Sequence, residues 1–248
     1  MARGSTLEKI LTDVRLEARL SSSAALNVQD RDRQIQMIQR EQERLWDDFD
    51  WPHLRVERFF PLQAGQRFYD PAACLNEDGV AKGDLDIDRI YKVDVMYGGV
   101  WLPLGNGITR EDYFLHNSAL DERSSPTCKW RIYEGEQIEV WPVPNVDGTA
   151  ADQENYLRVT GIRQLRPLVN DSDRADLDDR LIALYVAGAI LADQNSKSAQ
   201  LKLDAAQKLY GRLKASLKKS SGFQMFGAGE PNQPRSRRIF VTKYVAPE

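Results

Sequence analysis

The stretch that decides the fold is Leu-Ile-Ala-Leu-Tyr-Val-Ala-Gly-Ala-Ile-Leu at residues 181–191. Drawn as a helix, it is apolar around nearly its whole circumference, which is typical of a helix that neighbouring elements bury on most sides. The apolar run extends only to Ala192 and is too short to span a membrane. These residues therefore predict a buried core helix.

A second helix is predicted directly after Gln194-Asn195. Between residues 197 and 219 it carries seven lysines and arginines against one acid, Asp204. Its apolar residues recur in steps of four, at Leu201, Ala205, Leu209, Leu213 and Leu217. Apolar stripes on two consecutive helices predict a helical hairpin in which the stripes face each other.

Two further helices are predicted near the start of the chain. Ser5 and Glu8 have the spacing of a capping box and announce the first, whose apolar face extends to Ala18. The second runs from about Asp30 to Asp48, and its polar face carries arginines at positions 31, 33, 40 and 44 among the seven acids between Asp30 and Asp50. Such a face is either solvated or contacts a matching charged surface of another subunit.

The residues between these helix pairs have the pattern of β-strands. Segments rich in β-branched and aromatic residues alternate with turn residues such as Ala64-Gly65 and Gly98-Gly99. They predict an antiparallel sheet or sandwich of about six strands. A short helix at about Arg110–Leu115 interrupts it.

Together these patterns predict an α+β fold. A four-helix bundle formed by the N- and C-terminal helices carries an inserted small antiparallel β-sheet or sandwich and an extended C-terminal arm. The bundle takes residues 1–52 and 170–219, the β domain residues 53–169, and the arm residues 220–248.

The arm combines a flexible start with an apolar end. Glycines and prolines between residues 222 and 234 predict an extended or disordered segment in the free monomer. The end reads as a strand that follows three arginines, and we expect it to add to the sheet edge of a partner. The alternative is that its apolar residues fold back on their own domain. The expected partner-binding residues are Arg235, Arg237, Arg238, Ile239, Phe240, Val241 and Tyr244.

Composition argues against several classes of function. Lysines and arginines number 34 and acids 37, so a net charge of −3 provides no global basic field to hold nucleic acid. Two cysteines and two histidines are too few for a disulfide framework or a zinc cage. We predict no catalytic residue, no metal and no cofactor.

Two runs of acids are the candidates for a cation site. The run at Asp84, Asp86 and Asp88 resembles the start of a calcium loop, but Arg89 stands where an EF-hand needs glycine. The run at residues 170–179 could pair carboxylates around magnesium. The simpler interpretation is that it supplies turn and cap acceptors to the helix that follows.

Several strings occur in order along most of residues 5–215. They are Leu7–Val14, Leu45–Trp51, Phe60–Asp70, Trp130–Gly135, Ile138–Pro144 and Leu177–Tyr185. Together these strings resemble the head-to-tail adaptor, or connector, family of tailed bacteriophages, including the upper tail-tubular proteins of short-tailed phages. Residues 220–248 lie outside the resemblance.

The resemblance implies a structural protein of the virion that is made in the host cytoplasm and catalyses no reaction. It implies a ring, typically of twelve copies, beneath the portal, which joins head to tail and continues the DNA channel. The implied partners are the portal protein, a tail or nozzle protein and further copies of the chain. Genomic DNA would pass without specific binding, and no membrane is involved.

Three other functions stay open from the sequence. The protein could be another head-closure or tail-completion subunit. It could be a metal-dependent hydrolase that uses the acids at 170–179, or a DNA-binding packaging factor that uses Arg235–Arg238 and the lysine-rich helix.

Overall fold

The computed structural model describes residues 3–21, 28–116 and 122–217. Within these ranges the chain forms five α-helices and eight strands. The helices are α1 (Leu7–Glu17), α2 (Val28–Asp47), α3 (Arg110–Leu115), α4 (Asp179–Asp193) and α5 (Ser198–Leu217). The strands are β1 (Arg55–Pro61), β2 (Phe68–Tyr69), β3 (Leu85–Tyr97), β4 (Val100–Pro103), β5 (Gly105–Asn106), β6 (Lys129–Tyr133), β7 (Gln137–Trp141) and β8 (Tyr156–Arg163).

Helix α4 lies at the centre of the helical part. It packs against α1, α2 and α5, as its apolar circumference requires. Gly188 lets α5 approach closely, because a Cβ atom at this position would lie 2.6 Å from Leu203 Cδ2. The apolar sequence at 181–191 therefore sets the position of the other three helices.

The α+β class is confirmed, but the predicted four-helix bundle is wrong. Three helices surround one, and the same core includes Trp51 and Leu54, which precede β1, and Ile162 of β8. A bundle would close its core with helix faces alone, whereas here a strand and connecting segments fill part of it. The division into residues 1–52 with 170–219, 53–169 and 220–248 stays a prediction.

The buried face of α5 also differs from the prediction. Leu201 is 70% exposed, and Ala205 is exposed as well. The residues that α5 buries are Ala199, Ala206, Tyr210 and Leu213. A repeat of four residues winds around a helix that has 3.6 residues per turn, so the predicted stripe cannot face one neighbour along its whole length.

Pairing with a distant turn, rather than a side-chain cap, fixes the start of α1. The N-cap residue is Thr6, and its side chain makes no capping hydrogen bond, so the capping box predicted at Ser5 is absent. The Ser5 carbonyl instead accepts from the Ala175 amide at 3.1 Å, and the Leu7 amide donates to the Asp173 carbonyl at 2.8 Å.

The strands form two four-stranded sheets, ordered β1-β8-β3-β4 and β2-β7-β6-β5. All paired strands are antiparallel except β5 and β6. The two sheets share one apolar core, as in a sandwich. Residues that contribute to it from both sheets include Phe60, Val93, Leu157, Trp130, Ile138 and Val140.

Candidate interaction surfaces

A buried carboxylate connects the end of β8 to the turn that precedes α4. The Asp176 side chain is 0% exposed and accepts hydrogen bonds from Arg163 Nη1 at 3.1 Å and Arg166 Nε at 2.9 Å. The Asp176 carbonyl accepts from His53 Nε2 at 2.8 Å, which makes Nε2 the nitrogen that carries hydrogen. The contacts join the β sandwich to the helical core.

The charge of Asp176 is satisfied within the chain. Burial alone would raise its pKa, but the hydrogen bonds from Arg163 and Arg166 outweigh burial and lower the pKa below its ordinary value. The same burial lowers the pKa of His53, despite its hydrogen bond to Asp176. The cluster therefore holds an ionised carboxylate beside a neutral imidazole in a structural arrangement.

The other acids between residues 170 and 179 act mainly as local acceptors. Asp173 accepts from the amides of Val169 and Asn170 at 2.8 and 2.6 Å, and Asp178 caps α4 through the Leu181 amide at 3.1 Å. The predicted turn and cap roles are confirmed for these two residues. Across the described part of the chain, no group of three His, Cys, Asp or Glu side chains is placed to hold a metal ion.

A second buried carboxylate, Glu139 of β7, organises the outer face of the β2-β7-β6-β5 sheet. It is 0% exposed and accepts from Arg131 Nε at 2.6 Å, Arg67 Nε at 2.7 Å and the Tyr113 hydroxyl at 2.7 Å. Burial alone would raise the pKa of Glu139, but these three hydrogen bonds lower it. The Arg67 guanidinium also lies 4.9 Å from the centre of the Trp141 ring.

Helix α3 is anchored on this face. The Trp141 indole donates to the Asp112 carbonyl at 2.9 Å, and Lys129 Nζ lies 2.6 Å from the Asp112 carboxylate. The hydrogen bond from Lys129 lowers the pKa of Asp112 to about 2. At the end of the helix, Phe114 and Leu115 are 77% and 75% exposed. A firmly attached helix thus presents two apolar side chains to solvent.

The sequence interpretation missed the Glu139 cluster, although one signal was present. The sequence Glu134-Gly135-Glu136 between β6 and β7 has the composition of a hairpin turn, and the structure pairs Arg131 with Glu139 in that hairpin. Opposite charges at directly paired positions stabilise antiparallel strands. The contributions of Arg67 and Tyr113 come from other elements and had no local signal.

The predicted partner-binding residues Arg235, Arg237, Arg238, Ile239, Phe240, Val241 and Tyr244 lie outside the described residues, as does the whole arm at 220–248. The two cysteines are described: Cys74 is a buried free thiol in the sandwich core, and Cys128 is an exposed one.

These surfaces define a protein whose charged clusters hold its own elements together, as expected of a structural protein. A family model described as SU10 adaptor protein matches residues 5–235, which is most of the chain. The chain therefore belongs to the SU10 adaptor protein family, a family of structural adaptor proteins of phages, and the resemblance to phage adaptors is confirmed. No curated protein matches the sequence.

Membership implies a place in the virion and contact with portal and tail components. Among the described helices, none combines the length and apolar character needed to cross a membrane.

Proposed function

We propose that this protein is a virion adaptor that forms a ring, of twelve copies, beneath the portal. The ring joins head to tail and continues the DNA channel. The observation that carries the proposal is the match of the SU10 adaptor family to residues 5–235.

The charge balance supports passage of DNA without tight binding. With a net charge of −3, the chain has no overall attraction for phosphate. The main basic side chains in the described clusters are engaged by carboxylates, as Arg163 is by Asp176 and Arg131 by Glu139. A subunit with these properties suits the wall of a channel through which DNA moves.

The C-terminal segment is proposed as the link to the portal or to a neighbouring copy. The argument rests on sequence: Ile239, Phe240 and Val241 form an apolar strand pattern after a linker rich in glycine and proline. Removal of residues 230–248 should impair attachment to portal-bearing heads. Unchanged attachment would refute this part of the proposal.

The whole proposal is tested by measuring the mass of the purified chain alone and after mixing with portal protein. A multi-copy complex that includes portal supports the adaptor function. Cross-linking to the tail tube in place of the portal would instead indicate a tail-completion subunit.

A further inference from the structure

The outward face of α5 carries three cations in a row along the helix. Lys197, which directly precedes the helix, and Lys208 and Arg212 within it are all exposed. They are separated by eleven and four residues, about 16 and 6 Å along a helix, and lie on one side of it. Within the described parts of the chain, none of the three forms an ion pair.

The outward face of α2 carries acids at the same spacing. Asp32, Glu43 and Asp47 are exposed, share one side of the helix and are also separated by eleven and four residues. Asp32 and Glu43 form no ion pair with any described residue, while Asp47 contacts Arg89 at 3.3 Å. The two helix faces are therefore complementary in charge.

Helices α2 and α5 run in the same direction and span the same heights along their axes. Near their starts, Arg33 of α2 contacts Asp193, the last residue of α4, at 2.7 Å, shortly before α5 begins. Near their ends, Lys214 of α5 contacts Asp48, directly after α2, at 3.2 Å. The acid at each position of the α2 row therefore lies at nearly the same height as the cation at the equivalent position of the α5 row.

These two faces do not meet within one chain, since both are exposed and each helix packs on α4 through its other side. We infer that the outward face of α2 in one copy binds the outward face of α5 in the next copy. The pairs are Asp32 with Lys197, Glu43 with Lys208 and Asp47 with Arg212. The inference deepens the proposed function and rests on it, because it assigns the contact that closes the ring.

Ring geometry favours this pairing over the alternatives. Rotation about an axis parallel to the helices preserves their direction and height, so it brings the two rows together in parallel and in register. An antiparallel meeting would reverse the order of spacings and lose the match. Residues between these pairs also have opposite charges, because Arg40 of α2 then lies near Asp204 of α5, and both are exposed. Contact between two α2 faces would instead oppose like charges.

Cysteine cross-linking tests the register directly. The full-length chain carries Glu43→Cys and Lys208→Cys in a Cys128→Ser background, since Cys128 is the exposed native thiol. After assembly with portal protein, a short bis-maleimide should produce a ladder of covalent multimers. The matched control carries Gln36→Cys and Lys208→Cys in the same background. Gln36 is also exposed but lies seven residues away, about 10 Å along the helix, and should cross-link much less.

Charge reversal gives an independent readout. Lys208→Glu should weaken assembly about tenfold at low salt, because one attraction per interface becomes a repulsion. The second change Glu43→Lys in the same chain should restore assembly, since the reversed charges again oppose each other. Unchanged thermal melting of each variant shows that the fold is intact.

The outcomes separate the inference from the function beneath it. A multi-copy complex with portal, but without a 43–208 ladder or with an equal ladder in the control, overturns the inference and leaves the adaptor function standing. A chain that stays monomeric with portal overturns both.

Discussion

Tyr113 of α3 donates its hydroxyl hydrogen to the carboxylate of Glu139 on β7 over 2.7 Å, and that carboxylate has no exposure to solvent. A helix of six residues is too short to be stable by itself. Its attachment therefore depends on contacts such as this one, and the charge of Glu139 serves both the sheet and the helix.

Replacing Glu139→Gln should destabilise the protein by about 3 kcal/mol, because the guanidinium groups of Arg67 and Arg131 lose their buried counter-charge. Chemical denaturation measures the change. Glu136→Gln, in the exposed turn of the same hairpin, is the control and should change stability by less than about 0.5 kcal/mol. Equal effects of the two variants would contradict the role given to Glu139.

Stability should fall in acid through Asp176. The folded state lowers its pKa below the ordinary value of 3.8, so the unfolded state binds protons first as the pH falls. The contribution is complete above the unfolded pKa and disappears as the pH drops through the folded pKa. Urea midpoints should therefore stay level near neutrality and decline below about pH 5. Asp176→Asn should make this decline shallower; an unchanged slope would contradict the assignment.

Asp179 should affect the pH dependence of stability in the direction opposite to Asp176. It is 3% exposed, neither carboxylate oxygen has a partner of good hydrogen-bond geometry among the described residues, and burial raises its pKa by more than the nearby Ser5 lowers it. The ionised form therefore destabilises the folded state above the raised pKa, and the penalty disappears as the pH falls through it. Asp179→Asn should stabilise the protein by about 1 kcal/mol at pH 7, with no gain in acid.

The neighbouring Asp178→Asn is the control for Asp179→Asn. Asparagine caps a helix about as well as aspartate does, so stability at pH 7 should change by less than about 0.5 kcal/mol. A stabilisation equal to that of Asp179→Asn would show that the effect belongs to the general charge of this turn and not to burial of Asp179.

Gly188→Ala should destabilise the α4–α5 contact by about 1 kcal/mol, because the new methyl group collides with Leu203 and this outweighs the better helix propensity. In a Leu203→Ala background the same substitution should become favourable. Gly211→Ala on α5 has nothing within 4 Å of the added Cβ and should stabilise by about 0.5–1 kcal/mol. Thermal or urea unfolding of Gly188→Ala, Leu203→Ala, the double variant and Gly211→Ala measures these changes in stability. Additive effects of the substitutions at positions 188 and 203 would refute the coupling between them.

The sequence was most informative where one local pattern decides an element. The apolar circumference of residues 181–191 correctly predicts α4, and β-branched segments with glycine turns predict most of the sandwich. The two-residue strand β5 was missed because Gly105-Asn106 has no strand pattern and pairs only through its neighbour β6. The prediction of the buried face of α5 was wrong because residues four positions apart advance by 40° around the helix.

The sites were harder to predict because their parts come from distant elements. The Asp176 cluster needs His53 before β1 and Arg163 at the end of β8, and no spacing rule connects these positions. The matching rows on α2 and α5 were visible only as an acid-rich and a lysine-rich helix. Their common height requires the contacts of Asp48 and Asp193.

A ring whose copies are related by rotation about one axis has two unlike rims. Rotation alone cannot exchange top and bottom, so every copy has the end of α5, at Leu217, on the rim marked by Asp48. Leu217, at the end of α5, therefore lies at the same rim in all copies. A ring of the proposed kind would therefore fit between two different partners in only one orientation.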